Sequence, residues 1–576
     1  MNQKLENILN VSLDATEDEL RKADSLSTGY NWRDNTWEII VKYSGSLESI
    51  RNRYNVYIKE LLNYYAIIVA DKATIELISQ EDVIDYVEKP KSLYYQIERT
   101  KTAACVGSVR ADGNILSGKG VIVGVIDTGI DIFDNAFRNS DGTTRILNIY
   151  DQTTGEKYDK QSIDEYIRLN EDLSGGTFSY DNAPGVDNIM HGTDVSYIAA
   201  GSLGVAYEAD IIAVKMGYSI NNQFPRTTSL MDAIDYIIRK AIEYRKPVAV
   251  NISYGCNYGA HNGNTLLESF IDDISKSYRC VICVGSGNEA DKAIHFWGII
   301  NTGQVQTAYL SVGEYQSAID IQIWKNYWDT IDVMLINPRG EQIGIITEGR
   351  INRYETYNTE IITLLGEPSP YNIYQEIYIN LIPKTDYILS GIWQIVLMAG
   401  SIRAGEYNIW LPSSQALGYA TAFNNPTADG TITIPATARN CIAVGAYNAY
   451  TNSYAAFSGR GFDNSIRNVN AGVKPDITAP GVDISIARQR GNDITYRNVT
   501  GTSYAVPVVT GAAALLMQWG IVMGNDRFMY GEKLKAALID GSKPVGLVGI
   551  TRNDNQPDPR TGWGAVCLKN TLNKIL

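Results

Sequence analysis

The stretch Gly120–Gly129, GVIVGVIDTG, decides the fold of this chain. Its β-branched residues run without polar alternation, which predicts a strand that is buried on both faces. The same pattern returns in ADIIAVKM, PVAVNISYG and CVICVGSGN, and helical stretches such as LMDAIDYIIRKAIEYRK lie between them. Alternating buried strands and helices predict an α/β fold with a parallel sheet and right-handed crossovers. In such sheets, functional residues gather at the carboxyl ends of the strands.

Two segments interrupt this α/β rhythm. Residues 1–96 contain the strand-like stretches WEIIVKYSG and YYAIIVAD with a helical pattern between them, which predicts a small α+β domain. Residues 293–415 alternate apolar and polar positions around turns, as in TIDVMLINPRGEQIGIIT, which predicts an inserted β-sandwich or jelly roll. The α/β domain is therefore expected in two parts, 97–292 and 416–576.

Composition narrows the classes of partner. The 576 residues are 44% hydrophobic and 20% charged, and the net charge of −14 argues against nucleic acid or an anionic membrane as a partner. No signal-peptide pattern opens the sequence and no apolar run approaches the ~20 residues of a membrane span, so we expect synthesis in the cytoplasm without Sec export and without a membrane span. Cys280 and Cys283 form the CxxC pattern within a predicted strand, where they face opposite ways, so we expect buried thiols rather than a metal or redox pair.

Four separated stretches carry chemistry. Asp127 ends a buried strand, His191 begins a helix in HGTDVSYIAAG, Asn288 follows another strand, and Ser503 opens the apolar helix GTSYAVPVVTGAAALL. Taken singly, these residues have ordinary structural explanations as a turn former, a structural histidine and a helix cap. Together they supply every group that acyl transfer needs.

The chemistry assigns a different task to each of the four. The Ser503 hydroxyl becomes a nucleophile when His191 takes its proton, and Asp127 orients the imidazole and stabilises its charged form. The Asn288 amide and the backbone N–H of Ser503 bind the oxyanion. Asp194, which follows His191 at helical spacing, is not expected to be the orienting carboxylate.

The motifs VIDTGID, HGTDVSYIAAG, NISYG, VGSGNEA, KPDITAPG and GTSYAVPVVTGAAALL occur in an order that resembles the subtilisin family of serine proteases. The resemblance covers about 100–292 and 416–576, and implies a subtilisin-like parallel sheet flanked by helices. It implies Asp127, His191 and Ser503 as a catalytic triad and Asn288 as the oxyanion donor. It also implies that substrate pairs as an edge strand with Ser253, Tyr254 and Gly255, and that Gly285, Ser286 and Gly287 wall the specificity pocket.

The chain departs from the family pattern at three places. Asp194 stands where the family usually has a second histidine, and Tyr504 stands where it usually has methionine, which puts pocket shape and rate in question. The segment at Ser202 and Leu203 has no room for the family's calcium loop, so we expect no metal and no cofactor.

The resemblance also gives expectations for the flanking domains. The first 96 residues resemble the family's inhibitory, chaperone-like prodomain, which lies in the cleft of its own protease, and the expected processing site is Gln96–Ile97. A long prodomain and a β insertion before the serine motif resemble the clostridial Csp-type spore germination proteases. That resemblance implies a monomer incorporated into the spore, with the precursor of a spore-cortex lytic hydrolase as protein substrate.

Two other functions remain open at this point. The chain is alternatively a restrained protease scaffold that acts as a regulatory binding protein, with its prodomain permanently in the cleft. A carbohydrate-binding protein is the third possibility, since the insert contains Trp324, Trp328, Trp393 and Trp410. Tryptophan in alternating strands more commonly packs between sheets, and we expect the insert to rigidify the catalytic domain.

Overall fold

The computed structural model describes residues 4–17, 20, 29–61, 64–89, 103–105, 110–111, 114–173, 183–219, 222–346, 351–367, 372–462, 473–490, 493–546 and 557–576. By its internal contacts the chain divides into two compact units, Met1–Tyr95 and Gln96–Leu576. The predicted processing site, Gln96–Ile97, lies outside the described residues.

The first unit is an antiparallel sheet with helices. Its described strands pair in the order β1-β2-β4-β3, and β5 pairs with the second half of β2. The strand β3 falls in a stretch that the sequence pattern assigned to a helix. A core of apolar residues such as Ile39, Ile68 and Val87 holds the unit together. The bounds are β1 Tyr30–Asn31, β2 Thr36–Tyr43, β3 Tyr57–Leu61, β4 Tyr65–Ala70 and β5 Ile84–Glu88, with helices α1 Asn7–Asp14, α2 Glu48–Tyr54 and α3 Lys72–Ile78.

The second unit begins with the first part of the α/β domain. Its strands are β6 Arg110–Ala111, β7 Asn114–Ile115, β8 Ile122–Asp127, β9 Ile146–Asp151, β10 Glu156–Asp159, β11 Asp210–Lys215, β12 Tyr218–Ser219, β13 Asn222–Pro225, β14 Val248–Ile252 and β15 Cys280–Gly285. Its helices are α4 Lys160–Leu173, α5 His191–Ala200, α6 Thr227–Tyr244 and α7 Leu266–Ser277.

The insert follows as a run of strands. They are β16 His295–Ile299, β17 Val305–Val312, β18 Ile319–Asn326, β19 Ile331–Ile336, β20 Gln342–Ile345, β21 Ile351–Glu355, β22 Thr359–Leu365, β23 Tyr374–Pro383, β24 Gly391–Ala399, β25 Glu406–Trp410 and β26 Ala422–Phe423. The α/β domain then resumes with β27 Ile442–Asn448, β28 Ser453–Tyr454, β29 Ile477–Pro480, β30 Ile484–Arg490 and β31 Asp493–Val499, and with α8 Thr502–Met517, α9 Gly531–Asp540 and α10 Leu568–Ile575.

A parallel sheet forms the centre of the α/β domain. Its described parallel strands run in the order β9-β11-β8-β14-β15-β27-β29, with β10 and β28 pairing antiparallel at β9 and β27. All six residues of β8 are buried, as its continuous apolar pattern predicts. One face packs on α5 and α8, and the other packs on α6 and α7, so both faces are buried. This arrangement confirms the predicted α/β class.

The insert is a β-sandwich. Its described antiparallel sheets have the orders β16-β25-β18-β23-β22-β21 and β20-β19-β24-β17-β26, and alternating apolar residues of both meet in one core. The jelly-roll topology stays a prediction. Leu310 and Ser311 of β17 pair with Phe423 and Ala422. Pairing with the insert therefore continues past residue 415, where the sequence pattern placed its end.

A stack of aromatic rings joins the insert to the α/β domain. The indole of Trp410 lies between two imidazoles, with ring centroids 4.3 Å from His261 and 4.8 Å from His295. Trp393 and Trp410 are buried, whereas Trp328 is 38% exposed. The tryptophans of the insert therefore do not share one exposed face, and the packing explanation fits them better than sugar binding does.

The cysteines behave in two ways. Cys280 and Cys283 are fully buried free thiols, and burial raises the pKa of each to about 12, which makes them unreactive. Cys105 and Cys567 form a disulfide that the sequence analysis did not predict, because they lie 462 residues apart. No local pattern in the sequence marks such a pair.

One stretch among the described residues, Thr502–Val522, is apolar and long enough to cross a membrane, with a mean hydropathy of 1.7. Its most apolar window is 83% buried inside the protein, as in the core helix of an α/β domain.

Candidate active site

Asp127 and His191 come together because a helix begins against the end of β8. Asp127 is the last residue of that strand, and His191 is the first residue of α5. Gly192 lets the two backbones approach closely, since a Cβ there would lie 2.3 Å from the carbonyl oxygen of Gly129 and 2.9 Å from the Asp127 Cβ. Side chains 64 residues apart thereby become neighbours.

The first turn of α5 is capped from outside the helix. Met190, at the cap position, supplies no side-chain hydrogen bond. Instead, the buried carboxylate of Asp187 accepts the backbone N–H groups of Met190 at 2.7 Å and Thr193 at 2.8 Å, while the Thr128 hydroxyl accepts that of Gly192 at 2.9 Å. Thr128 in turn donates its hydroxyl to Asp187 at 2.7 Å. This network satisfies the amide groups of Gly192 and Thr193 at the helix start and fixes the position of His191.

Asp127 holds His191 in a defined orientation. His191 Nδ1 lies 2.7 Å from Asp127 Oδ1, and the same oxygen accepts the Thr128 backbone N–H at 2.8 Å. A proton on Nδ1 in this hydrogen bond leaves the lone pair of Nε2 available as a base. Burial opposes protonation of His191, but the charge of Asp127 and its hydrogen bond outweigh burial, so the pKa of His191 is raised.

Ser503 is the second residue of α8. Pro507 lies one turn further and has no N–H, so the Ser503 carbonyl loses its helical partner and accepts the Ser253 hydroxyl at 3.4 Å instead. His191 Nε2 and Ser503 Oγ, both within the described chain, are not hydrogen-bonded to each other in this structure. Such contacts commonly tighten only in the complex with substrate.

Asn288 faces the same cleft with its amide oriented. Its Oδ1 accepts the backbone N–H of Thr502 at 3.0 Å and the Thr502 hydroxyl at 3.1 Å. Because the oxygen is occupied, the NH₂ group is the part of the amide that remains for the cleft. Asn288 is thereby placed beside the start of α8, where the backbone N–H of Ser503 also lies.

The predicted binding segments border a cleft of about 1290 Å³. Ser253, Tyr254 and Gly255 form one side, and Gly285 and Gly287 form another, together with His191, Asn288 and Ser503. Ser286 differs, because it is fully buried and its hydroxyl lies 3.3 Å from that of Ser458. Ser286 is not among the described residues that line this cleft, so its expected part in the specificity pocket stays a prediction.

Several residues that line the cleft belong to no predicted site, and Thr433 and Ser414 are two of them. Thr433 lies between the two binding segments, since a Cβ on Gly255 or on Gly287 would approach its side chain to 2.4 or 2.5 Å. Ser414, at the end of the insert, donates its backbone N–H at 3.1 Å and its hydroxyl at 3.3 Å to Glu289, next to Asn288. Neither residue belongs to a motif, and only the fold brings them to the cleft.

The structure gives the contacts of Asp194, which stands where the family usually has a second histidine. It is fully buried, and its two carboxylate oxygens contact the guanidinium groups of Arg488 and Arg497 rather than His191. Tyr504, the other departure from the family pattern, packs its ring 5.3 Å from that of His191. Among the described residues, no cluster of three or more His, Cys, Asp or Glu side chains is arranged to hold a metal ion.

Comparison with known proteins identifies the family of both units. The Subtilase family profile matches residues 118–366 and 404–564, and the Csp protease B prodomain profile matches residues 3–91. The solved structure of the Clostridium perfringens CspB protease is 34% identical with a TM-score of 0.75, covering 83% of this chain and 97% of that one.

Curated relatives match over shorter stretches. The subtilase-type proteinase RRT12 of Saccharomyces cerevisiae is 33% identical over 128 residues, which is 22% of this chain and 23% of the relative. The subtilisin-like protease 10 of Arthroderma otae is 34% identical over 120 residues, 21% of this chain and 27% of the relative. The chain thus spans about a quarter of the length of these two relatives.

The chain belongs to the subtilase family, and its fold is that of a subtilisin-like serine protease. Within that family its N-terminal unit is a prodomain of the Csp type.

Proposed function

We propose that this chain is a serine endopeptidase in which Ser503 is the nucleophile, His191 the general base and Asp127 the orienting carboxylate. The observation that carries the proposal is the 2.7 Å contact between His191 Nδ1 and Asp127 Oδ1 at the edge of a cleft that Ser503 also lines. His191 takes the hydroxyl proton as Ser503 Oγ bonds to the scissile carbonyl carbon, and later gives a proton to the leaving amine.

The oxyanion of the tetrahedral intermediate is assigned to the Asn288 side-chain amide and the backbone N–H of Ser503. Each such donor typically lowers the barrier by ~2.7–4 kcal/mol. The orientation that Thr502 imposes on the Asn288 amide supports this assignment, because a donor that is already aimed needs no reorganisation during the reaction.

We propose further that the protease cleaves its own prodomain at Gln96–Ile97 and then activates another protein by limited proteolysis. The Csp-type prodomain and the similarity to the CspB protease support a role in the spore, with the precursor of a cortex lytic hydrolase as substrate. A monomer is the expected state.

One comparison tests the activity. Wild type and Ser503→Ala are purified as full chains, and prodomain cleavage is followed by intact mass while a fluorophosphonate probe reports an accessible, activated serine. We expect cleavage at residue 96 and labelling in wild type alone. A single uncut, unlabelled wild-type chain contradicts the proposal, and cleavage without labelling favours the regulatory scaffold whose cleft stays blocked.

The substrate is tested separately. Wild-type protease that reacts with the fluorophosphonate probe is incubated with a purified cortex-hydrolase precursor. We expect one cut and an active hydrolase, and we expect neither with Ser503→Ala. If an active protease does not cut the precursor, the proposed substrate is wrong and the proposed peptidase activity is unaffected.

A further inference from the structure

The hairpin formed by β30 and β31 contacts the helix of His191 and precedes the helix of Ser503 in the chain. Its strands pair so that Arg488 is opposite Thr495, and Arg497 is two residues further along the second strand. Side chains two apart on a strand share a face, so both arginines project from the same face of the hairpin. Two residues after β31 the chain reaches Gly501 and then α8, which carries Ser503.

Both arginines reach the start of the helix that carries His191. Arg488 Nη2 donates to the Met190 carbonyl oxygen at 2.8 Å, and Arg497 Nη2 donates to the same oxygen at 3.3 Å. Each also contacts one carboxylate oxygen of Asp194, one turn into the helix. The hairpin therefore contacts the start of α5 at two points, immediately before and shortly after His191.

The backbone held in this way is strained. Met190 has a φ of 66°, a left-handed conformation that is unfavourable for a non-glycine residue. Such a conformation persists only when surrounding contacts hold it, and the peptide that follows Met190 sets the direction of the His191 side chain. The two guanidinium groups supply part of that restraint.

Asp194 explains how two cations are tolerated here. Its carboxylate is fully buried, and the side chains of Arg488 and Arg497 are 9% and 39% exposed. Removing one partner of a buried ion pair leaves an uncompensated charge, so both guanidinium groups are needed to keep the Asp194 carboxylate fully paired. A histidine at this position does not offer two anionic oxygens to two guanidinium groups.

We propose that Asp194, Arg488 and Arg497 form a positioning cluster that sets the place of His191 relative to Ser503. The hairpin grips the helix of the base and leads directly into the helix of the nucleophile, so it fixes the separation of the two. This role rests on the proposed function of His191 as general base.

The charges around His191 give the cluster a measurable signature. Asp127 on β8 and Asp187 in the preceding loop favour the protonated imidazole, whereas Arg497 on the hairpin opposes it, and Tyr504 on α8 packs against the ring. Loss of the Arg497 charge therefore favours protonation of His191. The pH below which catalysis falls then moves upward.

The test compares four substitutions in the full chain. Arg488→Met and Arg497→Met each remove one contact with Met190 and Asp194. Arg490→Met is the matched control, because Arg490 lies on the same hairpin and pairs with the buried carboxylate of Asp131 at 2.6 Å. Arg497→Lys retains the positive charge but replaces the planar guanidinium group with an ammonium group.

The rate of fluorophosphonate labelling is measured from pH 5 to pH 9, alongside the melting temperature and the rate of self-cleavage. Labelling requires the same base, since His191 takes the Ser503 proton while Oγ bonds to phosphorus and fluoride leaves. We expect Arg488→Met and Arg497→Met to slow both rates by at least ~10-fold, because small misplacements of a catalytic group have large effects. Their loss of melting temperature should not exceed that of Arg490→Met, whose rates stay near wild type.

The pH profile separates positioning from general stability. In Arg497→Met the acid limb is expected at higher pH than in wild type, and Arg497→Lys is expected to return it. If Arg488→Met does not fold, Arg497→Met carries the comparison, since its side chain is the more exposed. Equal rates in all three methionine variants, or an acid limb that does not move, overturns the positioning role while leaving the proposed peptidase intact. A wild type that neither labels nor cleaves itself overturns both.

Discussion

The Asn288 amide offers the sharpest test of the assigned chemistry, because its two ends do different things. Oδ1 accepts two hydrogen bonds from Thr502, which leaves the NH₂ group as the donor for the cleft that Asn288 lines. Asn288→Ala removes both functions. Asn288→Asp keeps an acceptor for Thr502, removes the donor, and places negative charge where the oxyanion forms.

The magnitudes of the two effects differ enough to be separated. Loss of one oxyanion donor is expected to lower kcat ~10²–10³-fold, or ~2.7–4 kcal/mol of barrier. Loss of the two Thr502 hydrogen bonds is expected to cost about 1 kcal/mol each in folding stability. Asn288→Ala should therefore lose both rate and stability, whereas Asn288→Asp should lose at least as much rate and less stability.

The assay measures the first-order rate of self-cleavage of the freshly refolded full chain by gel electrophoresis, with Ser503→Ala as the inactive control. Denaturant unfolding of uncut chains, each carrying Ser503→Ala as well, gives the stability differences without interference from cleavage. Retention by both Asn288 variants of a self-cleavage rate within about threefold of wild type would refute the assignment of Asn288 to the oxyanion.

Three further predictions concern proton transfer, the insert and the disulfide. The raised pKa of His191 means that the base is protonated and inactive over a wider acid range. As the pH is lowered, the labelling rate should therefore fall with a midpoint above the ordinary histidine pKa of about 6.5. A midpoint at or below 6.5 contradicts the geometry. Trp410→Ala removes the ring between two imidazoles and should cost ~3–5 kcal/mol by calorimetry, whereas Trp328→Ala, at a half-exposed site, should cost far less; equal effects would show that the stack does not join the insert to the α/β domain. Replacing Cys105 and Cys567 by serine should lower stability by ~2–5 kcal/mol, and an unchanged unfolding curve would argue against the disulfide.

The sequence predicted the parts of the fold that repeat a simple pattern. The continuous apolar run of β8 and the alternation in β19 and β23 indicated a doubly covered parallel sheet and an antiparallel insert, because burial on two faces or one leaves that imprint. The strand β3 was missed because YIKEL is half polar and alternates over only five residues, which a helix also accommodates.

The candidate site was predictable only as far as the motifs reach. Asp127, His191, Asn288 and Ser503 each lie at the end of a strand or the start of a helix, so topology alone brings them to one edge of the sheet. Arg488 and Arg497 lie in an unremarkable hairpin, and Asp194 was identified only as a departure from a pattern. Their contact spans about 300 residues of sequence and depends on how the hairpin folds back, which no local signal encodes.

The disulfide between Cys105 and Cys567 encloses the insert and all but the two ends of the interrupted catalytic domain in one covalent ring. Asp127, His191 and Asn288 lie before the insert in the chain, and Ser503 lies after it. A single cut within the insert would otherwise divide the protein into one piece with the base and another with the nucleophile. With the ring closed, such a nicked molecule stays one species without reductant, and the nucleophile remains tethered to its base.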